Sequence, residues 1–336
     1  MRCILRAETD PYFNIAAEEY LFKNSTEDTF MLWRNDPSVI IGKHQNAFAE
    51  INHDFVSSNN IPVIRRISGG GTVYHDHGNL NFTFITHVRG QHPVEFNRFT
   101  TPMVQALHAM GLKVAVGPRN SMYINGKKIS GNAEHVYKNR VLHHGTLLYN
   151  SDLNVLEESI MPSKIRYHDK AVKSVRANVT NLSSFIPEIR TIQHFTELLM
   201  HEITSHNVDA YFQNLKTSEI IEINKLKDSK YTKWEWNFGY SPDFSFDTTI
   251  SYKGIDCPVN VSVKAGIIVG LHISENNSAP SEILQMIDDL RGARLEEGHL
   301  KEKLHGHYSD ETITRLLHTM LSTGTPEHLH NRNVVI

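Results

Sequence analysis

An α+β fold, built of mixed sheets with flanking helices and divided into a large domain and a small one, is what the sequence predicts. Three observations carry that expectation. Both strand-period and helix-period segments occur through the first 246 residues. A polar stretch from Asn214 to Lys233 reads as a connection between packed units, and beyond it come strands and then two amphipathic helices. With 336 residues, 40% of them apolar and 21% charged, the chain is too long for one ordinary core and too short for three. The expected division is 1–246 and 247–336.

In chain order, residues 12 to 22 are expected to be helical, with Ile15, Tyr20, Leu21 and Phe22 giving a partly apolar face. Phe30 to Arg34 and Ser38 to Ile41 read as short strands around the turn Asn35-Asp36-Pro37. Asn79 to His87 alternates Leu80, Phe82 and Phe84 with polar neighbours, the pattern of a strand buried on one face. Thr101-Pro102 is expected to start a helix carrying Val104, Leu107 and Met110, with Gly111 as its stop. Met122 to Ile129 contains Asn125-Gly126, a strong hairpin signal, and Arg140 to Tyr149 supplies a further strand. Ile192, Phe195, Leu199 and Ile203 fall at helical spacing. Thr248 to Ser274 reads as two or three strands, followed by helices at Ser281 to Leu290 and Asp310 to Leu321. No internal repeat or low-complexity segment is present, so function rests on discrete sites.

The formal net charge of −3 argues against a nucleic-acid binder, which needs a Lys and Arg excess to neutralise phosphates. No run of about 18 uninterrupted apolar residues occurs. The segment MRCILRAETDPYFN reaches charge before an apolar signal core could form, so a cytoplasmic protein without membrane association is expected. Cys3 and Cys257 stand far apart, outside any CxxC or His-rich spacing, and read as buried thiols. Histidine is abundant, at 21 copies, so chance His pairs carry little weight.

The densest chemical signal is Arg65-Arg66-Ile67-Ser68-Gly69-Gly70-Gly71-Thr72-Val73-Tyr74-His75-Asp76. Three glycines let the backbone approach a ligand and present its N–H groups to an anion, and Arg66 can add a fixed positive fork. The run is neither a Walker loop nor a dinucleotide fingerprint, and on the residues alone it fits an anion cradle or a tight turn between strands. A second signal is Gly126-Lys127-Lys128-Ile129-Ser130-Gly131-Asn132-Ala133, where a lysine closes a hairpin strand just before a small, flexible turn. It reads either as an ammonium aimed at a ligand or as a solvated strand end.

With their flanks, these segments resemble the lipoate-protein ligase A family. The resemblance runs through RNDPSVIIGKHQN (34–46), RRISGGGTVYHDHGNLNFTF (65–84), GKKISGNA (126–133), HHGTLL (143–148), KSVRANVTNL (173–182) and WEWNFG (234–239). These stand in the family's order and spacing over about residues 10 to 246, and the C-terminal domain follows by position and pattern. Several motifs in order are far more specific than one glycine run.

The resemblance implies a large catalytic domain of the biotin/lipoate ligase type and a small C-terminal α+β accessory domain. It implies activation of lipoate by ATP with Mg2+ to lipoyl-AMP, then transfer of the lipoyl group to a lysine. The implied acceptors are the lipoyl domains of 2-oxoacid dehydrogenase E2 subunits and the glycine cleavage H protein, and the implied state is a monomer. By motif position, Arg66, Gly70, Gly71, Thr72, Val73 and Tyr74 would hold the nucleotide, and Lys128 would bridge the α-phosphate and the lipoyl carbonyl. Ser68, Asn79 and Ala133 would line the same pocket. The segment Lys170 to Leu182 resembles the family's adenylate-binding loop, with Lys170, Lys173 and Arg176 also able to meet an acidic lipoyl domain. One departure stands out: the family's Arg-Asn-Asp before the hairpin is Arg119-Asn120-Ser121 here, which removes a carboxylate associated with magnesium and leaves open a transferase using preformed lipoyl-AMP.

Other readings compete. A thioester mechanism needs a cysteine nucleophile, and neither cysteine falls in a motif. His75, Asp76 and His77 with His143 and His144 could form a metal site, although adjacent strand positions rarely converge on one ion. A non-catalytic lipoate-binding module is the third.

Overall fold

The structure is a computed structural model that describes residues 1–88, 95–161, 165–273 and 279–321. The chain forms two compact units, neither a single run of sequence. One comprises Met1–Lys43, Pro62–Glu157 and Ser174–Lys233; the other comprises His44–Ile61, Glu158–Lys173 and the chain from Trp234 onward. The sequence sets one boundary near Phe246, whereas the short segments at 44–61 and 158–173 supply Phe48, Ile165 and Tyr167 to the second core.

The first unit is organised by a six-stranded sheet in the order Asn132–Tyr137, Arg140–Leu148, Asn79–His87, Thr29–Trp33, Arg2–Leu5, Tyr211–Phe212. The first three pairings are antiparallel and the last two parallel. The expected alternation of Asn79–His87 is present, with a different outcome: every residue but His87 is buried. Leu80, Phe82 and Phe84 enter an apolar core with Phe30, Phe99, Leu107 and Phe195. The opposite face, bearing Asn79, Asn81 and Thr83, is closed rather than solvated: Thr83 donates to Glu18 of the helix Pro11–Asn24.

That helix is buried nearly all round, including Glu18 and Glu19, because both carboxylates have partners. Asp10 caps it by accepting from the N–H groups of Tyr12 and Phe13. The partly apolar face expected from the sequence understates its burial. The helix expected from Thr101 begins at Phe96, with Pro102 inside it, and the His87 carbonyl is held by Arg98. The stretch from Asn214 to Lys233, expected as a connection, is helical over Thr217–Leu226 and closes in a π-helical turn over Lys227–Tyr231. Burial explains the difference: Ile223 and Tyr231 are fully enclosed, and Tyr231 donates its hydroxyl to Glu19.

In the second unit a four-stranded sheet runs in the order Tyr167–Asp169, Phe244–Tyr252, Ile255–Lys264, Ile267–Ile273. The helices Ser281–Leu290, Glu297–Leu304 and Asp310–Leu321 cover it, burying Ile283, Leu300 and Leu316. The three strands and two terminal helices match the sequence expectation, apart from Ser274, which lies outside the described residues. No helix among the described residues is long and apolar enough to cross a membrane.

Candidate active site

Three short strands frame the glycine turn. Ser38–Ile41 pairs in parallel with Val63–Arg65 and antiparallel with Val73–His75, so residues 66 to 72 form the loop that returns the chain across Ser38–Ile41. Arg66 faces into this loop. Its Nε donates to Ser68 Oγ at 3.0 Å, Nη1 to the Ile40 carbonyl at 3.1 Å, and Nη2 to the carbonyls of Gly69 and Gly71 at 2.6 and 2.8 Å. Burial pulls its pKa down to about 10, against the opposing pull of Glu18. The positive fork expected from the sequence is thus engaged by the turn itself.

Arg66 holds the carbonyls of Gly69 and Gly71, and the amide N–H groups of Gly69, Gly70 and Gly71 point to no acceptor among the described residues. Gly70 takes φ +90°, and a Cβ there would lie 3.0 Å from Arg66 Nη2 and 3.6 Å from the Ala133 methyl. Glycine is therefore required on two counts. Thr72 donates its N–H to Ser174 Oγ at 2.9 Å, Val73 pairs with Ile40, and Tyr74 is buried.

The hairpin brings Lys128 to the same place. Met122–Ile124 and Lys127–Ser130 pair antiparallel about Asn125-Gly126, both at positive φ, as the sequence predicts. The Lys128 ammonium lies over Gly131, 3.4 Å from where a Cβ would sit, and two residues further on Ala133 abuts Gly70. Lys128 also pairs through its main chain: its N–H donates to the Asn178 carbonyl at 2.8 Å, and its carbonyl accepts from Thr180 N–H at 3.0 Å. Burial lowers the Lys128 pKa, and the nearby Arg119 lowers it further. Arg119 and Asn120 both hold φ +56°, and Asn132 donates to the Asn120 carbonyl at 2.7 Å, fixing this turn against the strand Asn132–Tyr137.

Sequence reasoning missed a buried chain of hydrogen bonds behind the turn. Ser68 Oγ lies 2.6 Å from His144 Nε2, and His144 Nδ1 lies 2.9 and 3.1 Å from the two oxygens of Glu18. Thr83 donates to Glu18 Oε1 at 2.6 Å and accepts from Trp33 Nε1 at 2.8 Å. An acidic pair, Glu18-Glu19, inside an otherwise apolar helix is the signal that could have pointed there.

Other expected residues fall elsewhere. Asn79 Nδ2 donates to Asn81 Oδ1 at 2.9 Å, and its own buried Oδ1 has no partner. Arg176 is exposed within the first unit, while Lys170 and Lys173 belong to the second. The histidine and carboxylate cluster does not converge: His75 Nδ1 accepts from Asn35, Asp76 holds the N–H groups of Gly78 and Asp152, and His143 pairs with Glu134. Among the described residues no group of three or more His, Cys, Asp or Glu could hold a metal ion. Both cysteines are buried, which pushes their thiols up, away from the reactive thiolate.

Comparison with known proteins matches this architecture. The model of the lipoyl protein ligase A/B catalytic domain matches residues 10–204. Lipoate–protein ligase 1 of Staphylococcus aureus (strain Mu50 / ATCC 700699) is 36% identical over 299 residues, covering 88% of this chain and 90% of the relative. A lipoate-protein ligase A bound with ATP superposes with a TM-score of 0.61 at 25% identity, covering 71% of this chain and 98% of its own. A bipartite lipoate protein ligase of Thermoplasma acidophilum, from a study that includes its E2 lipoyl domain, gives 0.60 at 25% identity, covering 71% and 96%. On the family match over residues 10–204 and the identity spread along most of its length, the chain belongs to the lipoyl protein ligase A/B family and is an enzyme of the lipoate-protein ligase kind.

Proposed function

We propose that the glycine turn and Lys128 together carry the two half-reactions of an ATP-dependent lipoate-protein ligase. The observation that supports this most is the meeting of the free N–H groups of residues 69–71 with the Lys128 hairpin, through Ala133 and Gly70. In the first half-reaction a lipoate carboxylate oxygen attacks the α-phosphorus of ATP and pyrophosphate leaves. In the second, the lysine amine of the acceptor attacks the lipoyl carbonyl carbon, AMP leaves, and the amine gives up a proton as the amide forms.

Both steps build negative charge on oxygens, first on phosphoryl and then on carbonyl. The turn's N–H groups take the phosphates, and the Lys128 ammonium meets the oxygens where that charge develops. Preorganised donors of this kind do most where water is excluded. Gly70, Gly71, Thr72, Val73 and Tyr74 supply the backbone frame, Arg66 and Ser68 brace it from behind, and Ala133 keeps the hairpin close. Asn79 contributes its orphaned carbonyl oxygen, and Lys173 and Arg176 supply cations to an acidic acceptor.

Magnesium enters with the nucleotide. The described residues around Lys128 do not form a carboxylate cage, and position 121 is a serine; Mg2+ commonly takes most of its ligands from phosphates and water. The acceptors are lipoyl domains such as those of 2-oxoacid dehydrogenase E2 subunits and the glycine cleavage H protein. The enzyme acts as a cytoplasmic monomer, with residues 247–336 in an accessory role.

Lipoate-dependent exchange of pyrophosphate into ATP, followed by the mass shift of an apo lipoyl domain, tests the reading. Lys128→Ala is expected to fold with an unchanged melting temperature and to lose about 100- to 1,000-fold in exchange. Near-normal exchange in that variant would sink the assignment. A chain active only with synthetic lipoyl-AMP would instead be the transferase that Ser121 leaves open.

A further inference from the structure

The hydrogen bonds that set the glycine turn do not end at Arg66. A carboxylate only accepts, so Glu18 takes the Nδ1–H of His144, and this fixes the ring in the tautomer whose Nε2 accepts. The Ser68 hydroxyl then donates to that nitrogen, at 2.6 Å, and its lone pair faces the Nε–H of Arg66, at 3.0 Å. Arg66 in turn holds the carbonyls of Gly69 and Gly71. Arg66 only gives, to the turn on one side and to Ser68 on the other; from it the donors run one way to Glu18, which only accepts, while Ser68 and His144 both give and receive. Ser68 and Glu18 are almost wholly enclosed, so water does not compete with the order.

We propose that Glu18 and His144 are positioning residues for the known reaction: through Ser68 and Arg66 they orient the glycine turn so that its N–H groups face the nucleotide phosphates. This rests on the proposed function above. It adds that a carboxylate on the helix Pro11–Asn24, four hydrogen bonds from the turn carbonyls, governs how well ATP is held. Thr83 and Trp33 extend the order by orienting the carboxylate itself.

The test combines a spectroscopic reading with a double-mutant cycle on the intact enzyme. Ring-15N labelling of the histidines identifies His144 by the signal lost in His144→Gln, and the Nδ1–H tautomer is expected in the parent. In Glu18→Gln the new amide can donate to Nδ1, and the ring is expected to turn over to the Nε2–H form. Glu18→Gln and Ser68→Ala are each expected to lower kcat/KM for ATP, in lipoate-dependent pyrophosphate exchange, by about 10- to 100-fold, as for a lost hydrogen bond to a charged group. Residues that act as one chain are not additive, so the double variant is expected to be no worse than the poorer single. A tautomer unmoved by Glu18→Gln, or losses that multiply in the double variant, overturns the proposal. Lys128→Ala, measured alongside, judges the ligase mechanism separately, because its outcome does not depend on the His144 tautomer.

Discussion

His143 and His144 are neighbours on one strand, and because strand side chains alternate they enter opposite faces of the same sheet. Each has a carboxylate oxygen 2.9 Å from its Nδ1, Glu134 for the first and Glu18 for the second. The resemblance ends there. His144 continues through Ser68 to the glycine turn, and every polar atom along that chain is paired. His143 lies among the rings of Phe82, Phe96 and Phe99, and both its Nε2 and Glu134 Oε2 are buried without a partner. The same residue pair is thus part of a directed network on one face and an isolated polar inclusion on the other. A buried histidine–carboxylate pair by itself says little about function; what lies at its far end decides.

The largest effect expected to separate the two faces comes with acid. On the polar face, burial first and then the charge of Arg66 drive His75 from the ordinary 6.5 down to about 3. A base with a depressed folded pKa contributes stability that is present above 6.5 and drains away as pH falls toward 3, by up to about 1.4 kcal/mol per pH step. Melting temperature followed against pH should fall less steeply across that window in His75→Gln than in the parent; parallel curves would show that the polar face is not acid-sensitive through this ring. His143 on the apolar face is also held down by burial, but Glu134 pulls it back up.

Next in size is the apolar face itself. Glu134→Ala strands the His143 ring and should cost about 1–3 kcal/mol of stability, read by denaturant melting. Exchange activity per folded molecule should not change. Replacing the pair together, Glu134→Leu with His143→Leu, should recover most of that loss, since apolar groups of similar size can stand in for a buried pair. A double variant as unstable as Glu134→Ala would argue that this inclusion, too, belongs to a wider network.

The smallest effect concerns the Lys128 ammonium. Lys128 titrates below the ordinary 10.5 because it is buried and near Arg119. Its useful form is the cation, so kcat/KM for ATP should decline on the alkaline side before an unperturbed lysine would lose its proton. Lys128→Arg, at reduced rate, should shift that decline to higher pH, because guanidinium keeps its proton.

Much of this was legible in the sequence. The Asn125-Gly126 hairpin, the strand from Asn79 and the helices at Ile192, Ser281 and Asp310 follow from local turn chemistry and periodicity, and the structure bears them out. The glycine turn and Lys128 stand out in the sequence for the same reason: their chemistry sits in consecutive residues. What escaped is set by partners distant in sequence. Glu18 meets His144 across 126 positions, and Asn79, Asn81 and Thr83 read as a solvated face because nothing local says that a helix will cover them. The helix at Thr217–Leu226 was hidden for a related reason, since only Ile223 and the later Tyr231 carry its burial.

The grip on residues 178–180 has a further consequence. It is made by the peptide group of Lys128 and by no side chain. A change in the loop's residue types leaves such a ladder untouched, short of proline at a donating position, so the register of this segment against the strand Lys127–Ser130 does not depend on which side chains it carries. Position is in this way fastened by main chain alone, and the side chains of residues 178–180 are left independent of it.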